Sequence, residues 1–395
     1  MRNVISKLHG YVPRLAEELV RKGLARSPAV AILGPRQCGK STLARRVLEK
    51  SGAVYLDLQD RVDLSKLNEP ELFLERHRDR TVCLDEIQRA PELFSVLRSE
   101  IDRLRKPGRF LILGSASRDL IRQTNETLAG RIAYVELTPF VVPEVSSLLD
   151  WQTHWLRGGF PPSALAEDDE SSFDWRADFI RTFLERDIPA LGFTVPAPTL
   201  ERLWRLLAHY HGQLVSYGKL AEAVGLSVAT LKKHLALLEQ TYMIRMLPPH
   251  EPNTKKRLVK SPKVYLRDAG ILHALLDIET YDRLLAHPQC GASWEGHVIE
   301  SIAAANPRHR LSFLRTSNGA ELDLVTERGG EIEVFEIKLS KAPKPSRGFF
   351  ELVRELAPKR AWIVAPVDEP YAYAEGIEIT SPARLLQKCL TSPNP

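Results

Sequence analysis

Between residues 28 and 137 short apolar runs alternate with polar stretches of helical period, the pattern of a parallel sheet with crossover helices. Five strands are predicted, AVAIL at 29–33, AVYLDL at 53–58, TVCL at 81–84, RFLIL at 109–113 and IAYVEL at 132–137, with helices over 41–49, 92–105 and 117–128. Thr138-Pro139 stops the alternation. Residues 140–200 read as mainly helical, broken at Gly158-Gly159-Phe160-Pro161-Pro162 and by the acidic linker EDDESS at 167–172. Residues 201–285 carry helix-turn-helix spacing, and 291–380 return to strands in RLSFLRT, AELDLVTE, EIEVFEIKLS and RAWIVAP. The predicted architecture is α/β with four domains: a parallel-sheet core over 1–139, a helical lid over 140–200, a helix-turn-helix unit over 201–285 and a C-terminal α/β domain over 286–395.

Composition narrows this picture only in part. A chain of 395 residues exceeds the size of one hydrophobic core, and a 44% hydrophobic content makes it globular. Its formal charge of +5 suits a nucleic-acid partner without requiring one. The four cysteines, Cys38, Cys83, Cys290 and Cys389, are far apart and form no CxxC pair, so neither a zinc site nor a disulfide framework is indicated. With no signal-like leader and no apolar run long enough to span a bilayer, the expectation is a soluble, cytoplasmic protein that makes no use of a membrane.

The chemistry begins at Gly34-Pro35-Arg36-Gln37-Cys38-Gly39-Lys40-Ser41-Thr42, which fits G-x-x-x-x-G-K-[ST] and lies between a predicted strand and a predicted helix. The glycines let successive N–H groups turn toward phosphates, and the helix N-terminus adds a favourable dipole. Lys40 is expected on the β- and γ-phosphates, and Ser41 on Mg2+. In TVCLDE, Asp85 and Glu86 end a buried strand, where one carboxylate can hold the metal shell and the next can prepare water. Acids are also favoured in the first turn of a helix, a plainer reading of the same pair. Cys38 inside the loop would make activity sensitive to thiol oxidation if its thiolate is exposed.

Downstream, helices are expected from Tyr217 to Val224 and from Val228 to Glu239 around a turn at Gly225-Leu226-Ser227, with Ser227 capping the second. That helix is expected to expose Thr230, Lys232, Lys233 and His234, where a recognition helix meets duplex DNA through its backbone. In the C-terminal domain Glu295, Asp323, Glu336 and Lys338 could converge. Glu336 and Lys338 alternate onto one strand face, and Asp323 lies in the preceding strand of a hairpin. Carboxylates on Mg2+ beside a lysine suit phosphodiester hydrolysis, whereas an ordinary ion pair on a strand face accounts for Glu336 and Lys338 equally well.

GPRQCGKST, DEIQ, the strand RFLILGSAS, LAGR and GGFP together resemble prokaryotic AAA+ ATPases. The resemblance implies ATP and Mg2+ as cofactors, a γ-phosphate sensor at Ser115 with Ser117 as the alternative, and an arginine finger at Arg131 acting across a subunit boundary of a ring or part-ring. Pro161 resembles the lid proline that packs on adenine in signal-transduction ATPases, although Gly and Pro punctuate any loop. The 201–285 unit resembles the winged helices of the same family, with the wing or its following strand in NTKKRLVKSPK at 253–263. Residues 286–395 resemble PD-(D/E)XK restriction-endonuclease-like domains, with Leu322 in the place of the usual proline. The implied function is an oligomeric ATPase coupled to duplex DNA. A regulatory ATP switch with a protein-docking winged helix and a silent nuclease-like scaffold, and an ATP-regulated nuclease, stand as alternatives.

Overall fold

A computed structural model describes residues 10–115, 128–251 and 258–391. The chain divides into two compact units, Met1–Pro139 with Gln240–Tyr242, and Phe140–Glu239 with Met243–Pro395. The boundary after Pro139 falls where the strand pattern stops. The helical segment, the helix-turn-helix and the C-terminal strands belong to one unit rather than three.

In the first unit, β1 (Ala29–Leu33), β2 (Val54–Asp57), β3 (Val82–Asp85), β4 (Phe110–Gly114) and β5 (Ile132–Glu136) form a parallel sheet in the order β2-β3-β4-β1-β5. Alternation along buried strands feeds two cores. Ala29, Ala31, Leu33, Phe110 and Ile112 pack with Leu93, Phe94, Leu97 and Ile101 of the helix Leu93–Arg103. Val30, Ile32, Leu111 and Leu113 pack on the other face with Leu43, Ala44 and Val47 of the helix Lys40–Val47. Apolar residues on both faces are what a doubly covered parallel sheet requires. A helix at Leu15–Arg26, not foreseen from the leader, adds Ala16 and Val20 to the second core. The expected helix at 117–128 lies almost wholly outside the described residues.

In the second unit, the helices Ala197–His209, Tyr217–Val224 and Val228–Gln240 enclose a core of Leu203, Trp204, Leu207, Leu220, Leu231 and Leu235. Ser227 Oγ accepts from Thr230 N at 3.1 Å, and Gly225 supplies the left-handed turn at φ 70°. Three antiparallel strands follow, β6 (Gln213–Leu214), β7 (Ile244–Leu247) and β8 (Lys263–Leu266), in the order β6-β8-β7. Strand β8 is two-faced. Val264 and Leu266 enter the helix-turn-helix core, while Tyr265 enters the core built around the helix Cys290–Ala305.

The C-terminal sheet runs β13-β14-β12-β11-β10-β9, from β9 (Arg310–Arg315), β10 (Glu321–Arg328), β11 (Glu331–Ile337), β12 (Arg360–Val364), β13 (Tyr371–Ala374) and β14 (Ile377–Thr380). Strands β10 and β11 form the expected hairpin, turned by Gly329 and Gly330 at φ 61° and 84°, the positive dihedrals of a type I′ turn. The β9–β10 register shifts between Leu322 and Val325, a bulge that re-aims Asp323. Among the described residues no helix is long and apolar enough to cross a membrane.

Candidate nucleotide site and acid cluster

Three strand ends build the first site. Gly34 follows β1, Asp85 ends β3 and Ser115 follows Gly114 of β4, so all three lie on the C-terminal edge of one parallel sheet. Gly34 has no room for a side chain, since a Cβ would lie 2.0 Å from the Leu137 carbonyl oxygen. Gln37 and Gly39 take left-handed dihedrals, φ 62° and 100°, the kind of backbone that lets successive N–H groups turn toward an anion. Lys40 opens the following helix, and its buried Nζ donates to the carbonyls of Gly34 at 3.0 Å and Pro35 at 2.7 Å. Arg14 clamps the loop, Nη1 donating to Cys38 O at 2.9 Å and Nη2 to Thr138 O at 2.6 Å. Cys38 is fully buried, its Sγ 3.4 Å from Leu137 O, and burial pushes its thiol pKa up. The exposed thiolate needed for oxidation sensitivity is therefore not present.

Ser41 Oγ donates to Asp85 Oδ2 at 2.6 Å, and the Tyr55 hydroxyl donates to the same oxygen. Burial, then the Asp85 charge, raises the Tyr55 pKa, so the phenol stays a donor. Glu86 sits in the left-handed region at φ 60°, a costly place for a residue with a Cβ, and one found mostly where function fixes it. Its carboxylate receives Gln88 Nε2, and Ser115 Oγ lies 3.3 Å from Oε2; Gln88 Nε2 also reaches Ser115 Oγ at 2.8 Å. Gln88 Oε1 is buried without a partner among the described residues. Tyr55 and Gln88 escaped the sequence reading, although Gln88 stands inside the DEIQ string itself. The alternative sensor Ser117 lies outside the described residues.

Family models match three stretches of the chain: an AAA domain over 26–146, a domain of unknown function (DUF8612) over 148–282 and another (DUF4143) over 290–385. An uncharacterized protein of Mycobacterium tuberculosis is 42% identical over 364 residues, 92% of this chain and 82% of its own length, and one of Mycobacterium bovis matches to the same extent. The chain belongs to the family of these mycobacterial proteins. The first unit of this family member holds a P-loop ATPase domain of AAA type. Among solved structures, a Walker-type ATPase of Pyrococcus abyssi is similar at 16% identity and TM-score 0.48, over 68% of this chain and 97% of that one. A RuvB variant of Thermotoga maritima is similar at 19% identity and TM-score 0.31, over 63% and 90%.

Other expected site residues of this family member fall unevenly. Arg131 lies at the start of β5, the sheet edge opposite the loop, where Nε and Nη2 donate to Asp102 at 2.8 and 3.0 Å and Nη1 to Ala129 O at 3.0 Å. Within one chain it is an ion-paired arginine. Pro161 starts a short helix in the second unit; the glycines before it are demanded by close packing, on Asp268 for Gly158 and on the Phe140 backbone for Gly159. On the helix Val228–Gln240, Lys232 and Lys233 are exposed, with Lys232 Nζ 5.0 Å from the Tyr217 ring centroid, and Thr230 is half-buried beside Ser227. His234 corrects the expectation: it is 9% exposed, turned inward on the same side as Leu231 and Leu235.

Glu295, Asp323, Glu336 and Lys338 do converge. Lys338 Nζ is 2.9 Å from Glu336 and 4.0 Å from Asp323, and Asp323 Oδ2 accepts from Ile337 N at 2.8 Å. Burial, then the Glu295 charge, raises the Asp323 pKa to about 7, and burial followed by Asp323 raises that of Glu336. Burial opposes the charge on Lys338, but Asp323 and Glu336 outweigh it and its pKa is raised. Among the described residues, however, no group of three or more His, Cys, Asp or Glu is arranged to hold a metal ion. A group missed from sequence enters here. Lys263, expected in the basic wing or the strand after it, opens β8, is 3% exposed and is ion-paired with Glu295 at 3.1 Å and Glu321 at 2.5 Å.

Proposed function

We propose that this chain hydrolyses ATP with Mg2+ at the P-loop and couples the cycle to self-assembly and to sequence-tolerant contact with duplex DNA. The observation that carries the catalytic part is the convergence of Lys40, Ser41, Asp85 and Glu86 on one sheet edge. Ser41 Oγ and Asp85 Oδ2, 2.6 Å apart, are hard oxygen donors of the kind Mg2+ takes, so the residues fit the ion. Mg2+ would there neutralise charge on the phosphate oxygens. Lys40 would exchange its bonds to the Gly34 and Pro35 carbonyls for the β- and γ-phosphate oxygens. Water then attacks the γ-phosphorus as the bond to the β-phosphate oxygen breaks, with the water proton passing to Glu86. Gln88 and Ser115 hold that carboxylate, and Gln88 Oε1 is an acceptor suited to the same water. Arg131 of a neighbouring chain would release Asp102 to offset the developing charge.

Lys232 and Lys233 would supply the DNA part; their exposure on a helix packed with the β6-β8-β7 sheet supports reading this unit as a winged helix. Two lysines make a thin phosphate-contacting set, so binding should be weak and fade with salt. The reading as a regulatory switch draws on one observation, the committed ion pairs of the acid cluster, which suit a silent scaffold. ATP turnover with and without duplex DNA separates the two. Stimulation that disappears with added salt is expected; a rate indifferent to DNA at low salt removes the DNA coupling and leaves the switch.

A further inference from the structure

Three antiparallel strands, a crossover helix at Arg347–Leu356 and a parallel strand in the C-terminal domain are compatible with the nuclease-like resemblance, which would place a divalent cation among Glu295, Asp323 and Glu336. The residues present do not fit that ion. Alternation along β8 sends Val264 and Leu266 into one core and turns Lys263 and Tyr265 to the other side, toward the helix carrying Glu295. There Lys263 Nζ lies 3.1 Å from Glu295 Oε1 and 2.5 Å from Glu321 Oε1, and the Tyr265 hydroxyl donates to the same Glu295 oxygen. Lys338 closes the opposite side against Glu336 and Asp323.

We propose that Lys263 is the resident cation of this cluster: its ammonium occupies the position of a divalent metal, and the C-terminal domain neither binds Mg2+ nor cuts DNA while that lysine is in place. Burial opposes the lysine charge, but Glu295, Glu321 and Asp323 outweigh it, so the group stays protonated. A strongly hydrated point charge on a flexible stem suits the role. A lysine on an adjacent sheet thus links the helix-turn-helix to the C-terminal domain within one unit, with Arg245 and Arg267 on Glu300 as a second tie, at 2.9 Å from Arg245 Nη2 and 2.9 Å from Arg267 Nε. This inference leans on the nuclease-like reading only for where a metal would sit, and it stands apart from the outcome of the ATPase experiment.

The test uses the full chain in an Asp85→Asn background, which removes the metal-holding carboxylate of the P-loop. Mn2+ binding is followed by electron paramagnetic resonance, and melting is compared in Mn2+ and in EDTA. The unaltered cluster should take up no stoichiometric Mn2+ and melt alike in both. Lys263→Met should melt lower in EDTA, because the carboxylates lose their counter-charge, and should bind Mn2+ and regain part of the lost melting temperature; adding Asp323→Asn should abolish both effects. Lys263→Arg should behave as the parent. Saturable Mn2+ uptake by the parent that disappears in Asp323→Asn overturns the proposal, as does a folded Lys263→Met chain indifferent to Mn2+. If Lys263→Met does not fold, the parent decides: indifference to Mn2+ supports the inference and Asp323-dependent uptake ends it.

Discussion

Lys40 and Lys263 are both buried ammonium groups, 6% and 3% exposed, and they are held in opposite ways. Lys40 is bonded to two backbone carbonyls of its own loop, neutral partners that a triphosphate can outbid. Lys263 is bonded to two carboxylates, and breaking a buried pair by removing one partner costs roughly 3–5 kcal/mol. A buried lysine therefore suits a ligand where its charge has only dipoles to satisfy it, and is a structural tie where its charge is already matched.

The comparison breaks first at Glu86. Glu86→Gln should retain ATP and lose roughly 10²–10⁴-fold in turnover, the range for a displaced general base; single-turnover hydrolysis checks this, and normal turnover would return Asp85-Glu86 to a mere helix-start pair. Next in size is an acid test that separates the units. Burial lowers the pKa of His154 to about 4 and of His211 and His273 to about 3, and all three belong to the second unit. Unfolded histidine binds its proton near pH 6.5 and these do not, so stability is fully present above pH 6.5 and is lost as pH falls toward 4. Each histidine contributes a loss of about 1.4 kcal/mol per pH unit in that window. The second unit should melt before the first at pH 5, as seen by fluorescence of its tryptophans, all six of which lie there.

Smaller effects sharpen the roles around Glu86 and on the helix Val228–Gln240. Gln88→Ala should lower kcat about tenfold with KM nearly unchanged, as expected for a group that positions another; a raised KM at unchanged kcat would make Gln88 a binding residue. Lys232→Ala with Lys233→Ala should weaken duplex binding alike for all sequences and flatten the salt slope by about 2. Titrations at several salt concentrations decide it, and an unchanged slope would remove those lysines from the DNA.

What was legible in the sequence was local. Ala29–Leu33 and residues 82–84 announce themselves as unbroken apolar runs, and the loop between Gly34 and Lys40 is read from contiguous residues; Tyr217 to Val224 and its following turn are read from helical spacing and Gly225. The helix Leu15–Arg26 carries a periodic signal too, in Ala16, Val20 and Gly23, but the charged residues between them dilute it. What stayed hidden was set by distant partners. Lys263 looked like one more charge in a basic run because Glu295 and Glu321 come later in the chain. His234 looks exposed beside its lysine neighbours, whereas Leu231 and Leu235 on either side mark its buried face. Tyr55 gave no sign, since only the pairing of β2 with β3 brings it to Asp85.

The most direct measurement is equilibrium binding of a slowly hydrolysed ATP analogue in Mg2+ to the parent chain and to Lys40→Ala. Saturable binding by the parent that vanishes in the variant, with both chains melting normally, is the expected result. A parent that takes up no analogue, or a folded Lys40→Ala chain that binds it as well as the parent, would contradict the nucleotide site on which the ATPase assignments depend.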